Sequence, residues 1–438
     1  MAMTGSIGRS GRNAPKTDNA GRRSVFWRAA AAIFIVSGSV VSGQISDSFF
    51  VHLDHTAIEY RKGPTSDLIV QLNRKIQAGD VRLEFEPGFG YLRSVLEALD
   101  VPKESQIAVF SKTSAQVAHI DRQHPRTIFF NDAVAVAYTR GGFIEFAAHD
   151  PRQGVVFYDL PQQPADMPVF ARQDWCLGCH NNLVTLGVPG MMVRSIPTSA
   201  DSKPLTWLGN YTSDHRSPFE RRWGGWYVTG DAPAIKHLGN VAAGEGDIAP
   251  AASHLDSLAE PAAASFANYS DIVALMVFEH QVHMTNLITR VGWQARVGLA
   301  DRRDDFTDAL NLSASDVVDY MLFVDEAPLP GQVRGSSGFA EKFAGEGPND
   351  RQGRSLRQLD LQNRLMRYRC SYMIYTAAFD ALPGEARDAI YRRLWYVLSG
   401  QDSAAKYQKL QVAERKAIVE ILRDTKKDLP QYFQDVVR

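Results

Sequence analysis

Cysteine is scarce: the 438-residue chain has three, Cys176, Cys179 and Cys370. So few exclude a disulfide framework, and the lack of a second Cys-x-x-Cys pair excludes a four-thiolate zinc site. Surplus charge is lacking too. With 48 Lys and Arg against 49 Asp and Glu the formal net charge is −1, without the basic excess that a nucleic acid or an anionic membrane surface would call for. Long apolar runs are also wanting, since the stretch Ala29 to Val41 falls short of the roughly 20 residues of a spanning helix. The apolar class nonetheless makes up 45% and charged residues 22%, which excludes a disordered chain and leaves enough for several packed regions.

What is present begins with a targeting pattern. Arg9, Arg12, Lys16, Arg22, Arg23 and Arg28 precede the apolar stretch, and the small residues Val41-Ser42-Gly43 follow it. This arrangement predicts a signal peptide over residues 1–43, cleaved after Gly43, and an exported protein with no membrane insertion beyond that segment. An uncleaved anchor is the alternative, and the Arg22-Arg23 pair fits a twin-arginine signal only loosely.

The run Trp175-Cys-Leu-Gly-Cys-His180 carries the most specific chemistry. Cys-x-x-Cys-His is the attachment signature of a c-type haem: each thiol forms one thioether to the ring edge, and the adjacent histidine presents its imidazole to the iron. Half of a Cys/His zinc site and a redox dithiol are the competing readings of the same residues.

Around this run the chain divides by pattern. Residues 44–169 read as an α+β domain. Tyr91 to Leu99 has helical spacing, and the β-branched and aromatic runs at Gln106 to Phe110, Thr127 to Phe130, Val134 to Tyr138, Phe143 to Ala147 and Val155 to Tyr158 read as strands. Their close spacing leaves no room for crossover helices and predicts an antiparallel meander. Residues 170–243 form the haem segment, rich in aromatics and turn formers. Residues 244–270 read as an Ala/Pro-rich linker. Residues 271–438 are predicted to form a helical region covering the haem, with a strongly amphipathic helix from Ile272 to Arg290. Further helices are expected at Ser315 to Phe323, Leu359 to Leu382, Ala386 to Leu398 and Ala404 to Asp424. The fold class expected is α+β: an N-terminal antiparallel strand-rich domain, a central cytochrome c-like haem segment and a C-terminal helical region.

Several residues are candidates for the rest of the site. Arg222, beside Trp223, could pair with a haem propionate, and Trp226 could wall the ring, although a plain strand from Trp226 to Thr229 explains the same residues. For a sixth iron ligand the candidates are Met192, which follows a Pro189-Gly190 turn, and His280 and His283 on the core face of the long helix. Glu279 and His283 form an i, i+4 couple able to polarise an imidazole. His215 and His237 are weaker ligand candidates. His52 and His55 read as solvated terminal residues, and Cys370 as an inert small hydrophobe.

The blocks Arg222-Trp-Gly-Gly-Trp-Tyr-Val-Thr-Gly230, Glu279-His-Gln-Val-His-Met-Thr-Asn286 and Cys370-Ser-Tyr-Met-Ile-Tyr375 resemble those of an exported bacterial family of cytochrome c-like proteins. The resemblance implies one covalent haem c on Cys176 and Cys179, iron on His180 and a periplasmic redox role; it supplies no substrate. Dihaem peroxidases and rubber-cleaving dihaem oxygenases are similar in compartment and scale but need two attachment motifs, where this chain has one. Three functions follow as expectations. The first is electron transfer with a periplasmic redox partner protein; the others are a haem enzyme with an open distal site and a non-catalytic haem sensor.

Overall fold

Asp67 opens the first helix. Its carboxylate accepts from the amides of Ile69 and Val70 at 2.9 and 3.2 Å, and α1 (Leu68–Ala78) runs to Gly79, whose φ of 80° is a left-handed cap that glycine adopts without strain. A computed structural model describes residues 51–254 and 268–437 of the chain. The expected signal segment, and residues 255–267 of the expected linker, lie outside the described residues. The described residues belong to one compact unit.

After α2 (Leu92–Ala98) the predicted meander is found. Its strands are β1 (Ile107–Val109), β2 (Arg126–Phe130), β3 (Val134–Tyr138), β4 (Ile144–Asp150), β5 (Gly154–Leu160) and β6 (Ala171–Arg172), each antiparallel to the next. Polar side chains close the hairpins. Asn131 Oδ1 accepts from the amides of Ala133 and Val134, both at 3.0 Å, between β2 and β3. Asp150 Oδ1 does the same for Arg152 and Gln153, at 2.9 and 2.8 Å, between β4 and β5.

The chain then passes through α3 (Leu177–His180) and a separate ribbon of β7 (Val193–Ser195) and β8 (Tyr211–Ser213). It rejoins the sheet as β9 (Trp226–Tyr227), antiparallel to β1. The sheet order is β6-β5-β4-β3-β2-β1-β9. Residues 173–225 thus leave one edge and return at the other, a breadth of six strand spacings of ~4.8 Å, or about 29 Å.

Cross-strand partners share a face, which places Phe130, Ala135, Ala147 and Phe157 together on one side. That side receives α3 and the long helix α4 (Ile272–Asp301): Phe157 meets the His180 ring at 4.9 Å, Phe130 meets Phe278 at 4.8 Å, and Thr289 Oγ1 lies 3.2 Å from His149 Nε2. The opposite face turns to the N-terminal helices, with the Tyr158 hydroxyl donating to Asp67 at 2.7 Å and the Tyr138 hydroxyl to the Gly88 carbonyl at 2.8 Å.

The C-terminal part is helical as expected: α5 (Phe306–Met321), α6 (Phe339–Gly345), α7 (Ala377–Asp380), α8 (Gly384–Leu398) and α9 (Val412–Thr425) follow α4. The α+β class therefore holds. Three expectations are corrected. The long helix is not amphipathic: every residue from Ile272 to Val282 is buried, because the sheet covers one side while α5, α6 and α8 pack on others. The helix expected from Leu359 to Leu382 is interrupted by a turn, where Asp360 Oδ1 accepts from Gln362 and Asn363 at 2.9 and 2.7 Å and Leu361 takes a φ of 55°. Only a 3-10 turn, Tyr372–Tyr375, and the short α7 follow. The last helix starts at Val412, not Ala404. Among the described residues no helix is long and apolar enough to cross a membrane.

Candidate functional site

Cys176 and Cys179 lie one turn apart, Cys176 capping α3 and half-buried, Cys179 within it and exposed, and both thiols are free. Burial, helped by Glu145 and Asp159, pushes the Cys176 thiol up to about 12, so it stays protonated near neutrality. His180 ends the helix with its ring against Phe157 and its Nδ1 2.9 Å from the Gly190 carbonyl oxygen. Burial also lowers its pKa, which keeps the imidazole neutral. A carbonyl can only accept, so Nδ1 carries the proton and Nε2 presents a lone pair; among the described residues none bonds Nε2.

The loop from His180 to Gly190 is tied in both directions. The Gly190 amide donates to the His180 carbonyl at 2.9 Å, and the Pro189 carbonyl accepts from Val155 of β5 at 3.2 Å. The chain therefore passes behind the imidazole, on the Nδ1 side. Met191, which follows, is held through its amide and carbonyl by the side chain of Asn286.

The surroundings of α3 are apolar and open. Met167, Val169, Trp175, Leu183 and Val184 are all exposed, Trp175 to 50% and Leu183 to 64%. Exposed apolar groups gathered in one short stretch mark a binding surface more often than chance. The Arg126–Glu145 ion pair, at 2.7 Å on the sheet, is near enough to influence both Cys176 and His180.

The other candidates belong to a separate buried network. Arg222, fully buried, donates to Glu279 at 2.9 Å, to the His215 carbonyl at 3.0 Å and to the Ser217 carbonyl at 2.9 and 2.7 Å. With four of its five N–H groups so engaged, it is an internal ion-pair residue and not a propionate partner. Trp226 is a strand residue of the sheet edge whose Nε1 donates to the Arg194 carbonyl at 2.7 Å. His280 has Nδ1 2.8 Å from His215 Nδ1 and Nε2 2.7 Å from Ser371 Oγ, so neither nitrogen is available to iron. His283 Nε2 accepts from Arg216 at 3.3 Å. Burial depresses all three imidazoles, His280 to about 3, His283 to about 4 and His215 well below its usual value, and leaves them neutral. Burial pushes Glu279 the other way, up to about 7, against the pull of Arg222.

Pairing by residues so distant in the chain is what sequence reasoning missed. The one sequence signal was the density of polar groups in Glu279-His-Gln-Val-His283 inside an otherwise apolar helix. Breaking the pair should be costly: Arg222→Ala is expected to lose about 3–5 kcal/mol by leaving the buried Glu279 carboxyl and the His215 and Ser217 carbonyls without their donor, while Arg222→Met combined with Glu279→Leu recovers part of it, as read from denaturation midpoints.

Among the described residues no three His, Cys, Asp or Glu side chains are arranged to hold a metal ion. Zinc would need both sulfurs and the imidazole converging on one centre. A c-type haem asks for less, since the sulfurs go to the ring edge and the imidazole alone to the iron.

No family model, no curated protein and no solved structure matches this chain. The likeness to exported cytochrome c-like proteins accordingly rests on the residues quoted for it.

Proposed function

We propose that the protein is an exported mono-haem c-type cytochrome that exchanges electrons with a periplasmic redox partner, its haem tethered to Cys176 and Cys179 and its iron held by His180. One observation carries the reading: beside two free thiols one turn apart, His180 has Nδ1 engaged by a backbone carbonyl at 2.9 Å and, among the described residues, no partner at Nε2. That is the arrangement in which a neutral histidine serves as a metal ligand. A haem so held supplies one-electron chemistry at its iron. The chain's own part is to orient the imidazole through Gly190, to wall it with Phe157, and to offer the apolar side chains around α3, which exclude water from the ring.

A second reading, a haem enzyme with an open distal position, is favoured by the engagement of both His280 nitrogens, which removes one of the candidate sixth ligands. One experiment tests both. The protein is expressed with its signal segment in a host that matures c-type cytochromes, and its pyridine haemochrome and its reduced spectrum with and without carbon monoxide are recorded. One covalent haem per chain is expected, and indifference to carbon monoxide marks the carrier. Ready carbon monoxide binding would turn the assignment to the enzyme, and a chain without covalent haem would overturn both.

A further inference from the structure

The geometry points to Asn286, in the helix α4 about a hundred residues beyond the haem motif, as a positioning residue that sets the strength of the iron–imidazole bond and hence the reduction potential. The inference rests on the haem reading above.

Asn286 is buried, and both ends of its amide engage one residue: Oδ1 accepts from the Met191 amide at 3.1 Å, and Nδ2 donates to the Met191 carbonyl at 2.8 Å. The Met191 N–H belongs to the same planar peptide unit as the Gly190 carbonyl, and in a trans peptide the two point in opposite directions. On its other side that carbonyl takes the His180 Nδ1–H at 2.9 Å. Three groups are thus in series: the Asn286 amide oxygen, the 190–191 peptide and the His180 imidazole. Hydrogen bonds in such a chain polarise one another. An acceptor on the Met191 N–H makes the Gly190 oxygen more negative, which strengthens its hold on the Nδ1 proton and makes Nε2 a better donor to iron.

Gly190 gives an independent sign that the contact is built in. A Cβ there would stand 2.1 Å from Asn286 Oδ1 and 2.8 Å from its Cγ, so glycine is what lets the side chain close on this backbone. The bond from Val155 to the Pro189 carbonyl fixes the same turn from the sheet. A stronger nitrogen donor favours ferric over ferrous iron, so the Asn286 contact lowers the potential.

The test is spectroelectrochemical titration of the purified holoprotein. Asn286→Leu, which removes the acceptor, is expected to raise the potential, moving the reduced-to-oxidised equilibrium about tenfold. Asn286→Asp, held protonated by burial, keeps an oxygen opposite the Met191 N–H and a hydroxyl donor opposite the Met191 carbonyl, and is expected to show no positive shift. Val282→Ala, a cavity one turn away that leaves the 190–191 peptide alone, controls for packing loss and should titrate like the parent. If Asn286→Leu does not accumulate folded, Asn286→Ala makes the same comparison. An unshifted potential in the acceptor-free variants, or an equal positive shift in Asn286→Asp or Val282→Ala, overturns the inference while leaving the haem reading intact. Absence of covalent haem from the parent chain overturns both.

Discussion

Serine at both Cys176 and Cys179 is expected to abolish covalent haem, leaving no absorbance with the protein after acid–acetone extraction and no added mass on the polypeptide. The hydroxyl cannot form the thioether, and Cys370 cannot substitute: it is wholly buried, and burial pushes its thiol up to about 12. The fold itself should tolerate the change. Cys179 is exposed and Cys176 half-buried, so swapping sulfur for oxygen at both costs only about 1 kcal/mol in the apoprotein. His180→Ala should separate attachment from ligation. With both thiols in place the thioethers still form, but the neutral imidazole held by Gly190 is gone, and the low-spin spectrum with it. Retention of extraction-resistant haem in the double serine variant would defeat the assignment of these cysteines.

Acid should unfold the protein steeply from pH 6 downward. Burial depresses His149 and His283 to about 4, His280 to about 3 and His215 well below its usual value, whereas in the unfolded chain each titrates near 6.5. Their contribution is complete above pH 6.5 and is lost as pH falls towards the folded values, because unfolding then takes up about four protons. Glu279 and Glu326 act in the opposite sense. Burial raises both to about 7, so between about 4.5 and 7 they are protonated in the folded chain and ionised in the unfolded one. Four protons taken up against two released leave a net uptake of about two, or about 3 kcal/mol of stability lost per pH unit between 6 and 5. Urea titrations at pH 7, 6 and 5 measure this directly. A flat profile would mean that these imidazoles are reached by water, contrary to their burial.

Much of the sheet was legible because its signals are local. The strand Val134–Tyr138 is an uninterrupted run of β-formers between the turn residues at Asn131 and Gly141, and it was read with the bounds it has. The Cys176, Cys179 and His180 constellation was equally legible, since all three residues fall within one helical turn. The long helix was misread in character. His280 reads as a core-face residue and is one, but Glu279, one step off the apolar stripe, and Asn286 are equally buried, and each of the three is paired with a residue far away: Ser371 and His215, Arg222, and Met191. Periodicity records which residues are polar, not whether water or protein satisfies them. The false helix after Leu359 has a similar cause, because Asp360 spends its carboxylate on a local turn that apolar spacing does not register.

The edge pairing of β9 with β1 has a bearing on time. Ala108 lies opposite Tyr227, so the sheet closes only after the intervening chain has been brought round, whereas the hairpins from β2 to β5 need only their own turns. Contacts of such long sequence separation form late, because the loop must be ordered before it is rewarded. During that interval the sheet can already be standing while residues 173–225, with both thiols, remain slack. Once β9 docks, the same residues are pinned at both ends, so any group to be joined to Cys176 and Cys179 would reach them most freely before the sheet closes.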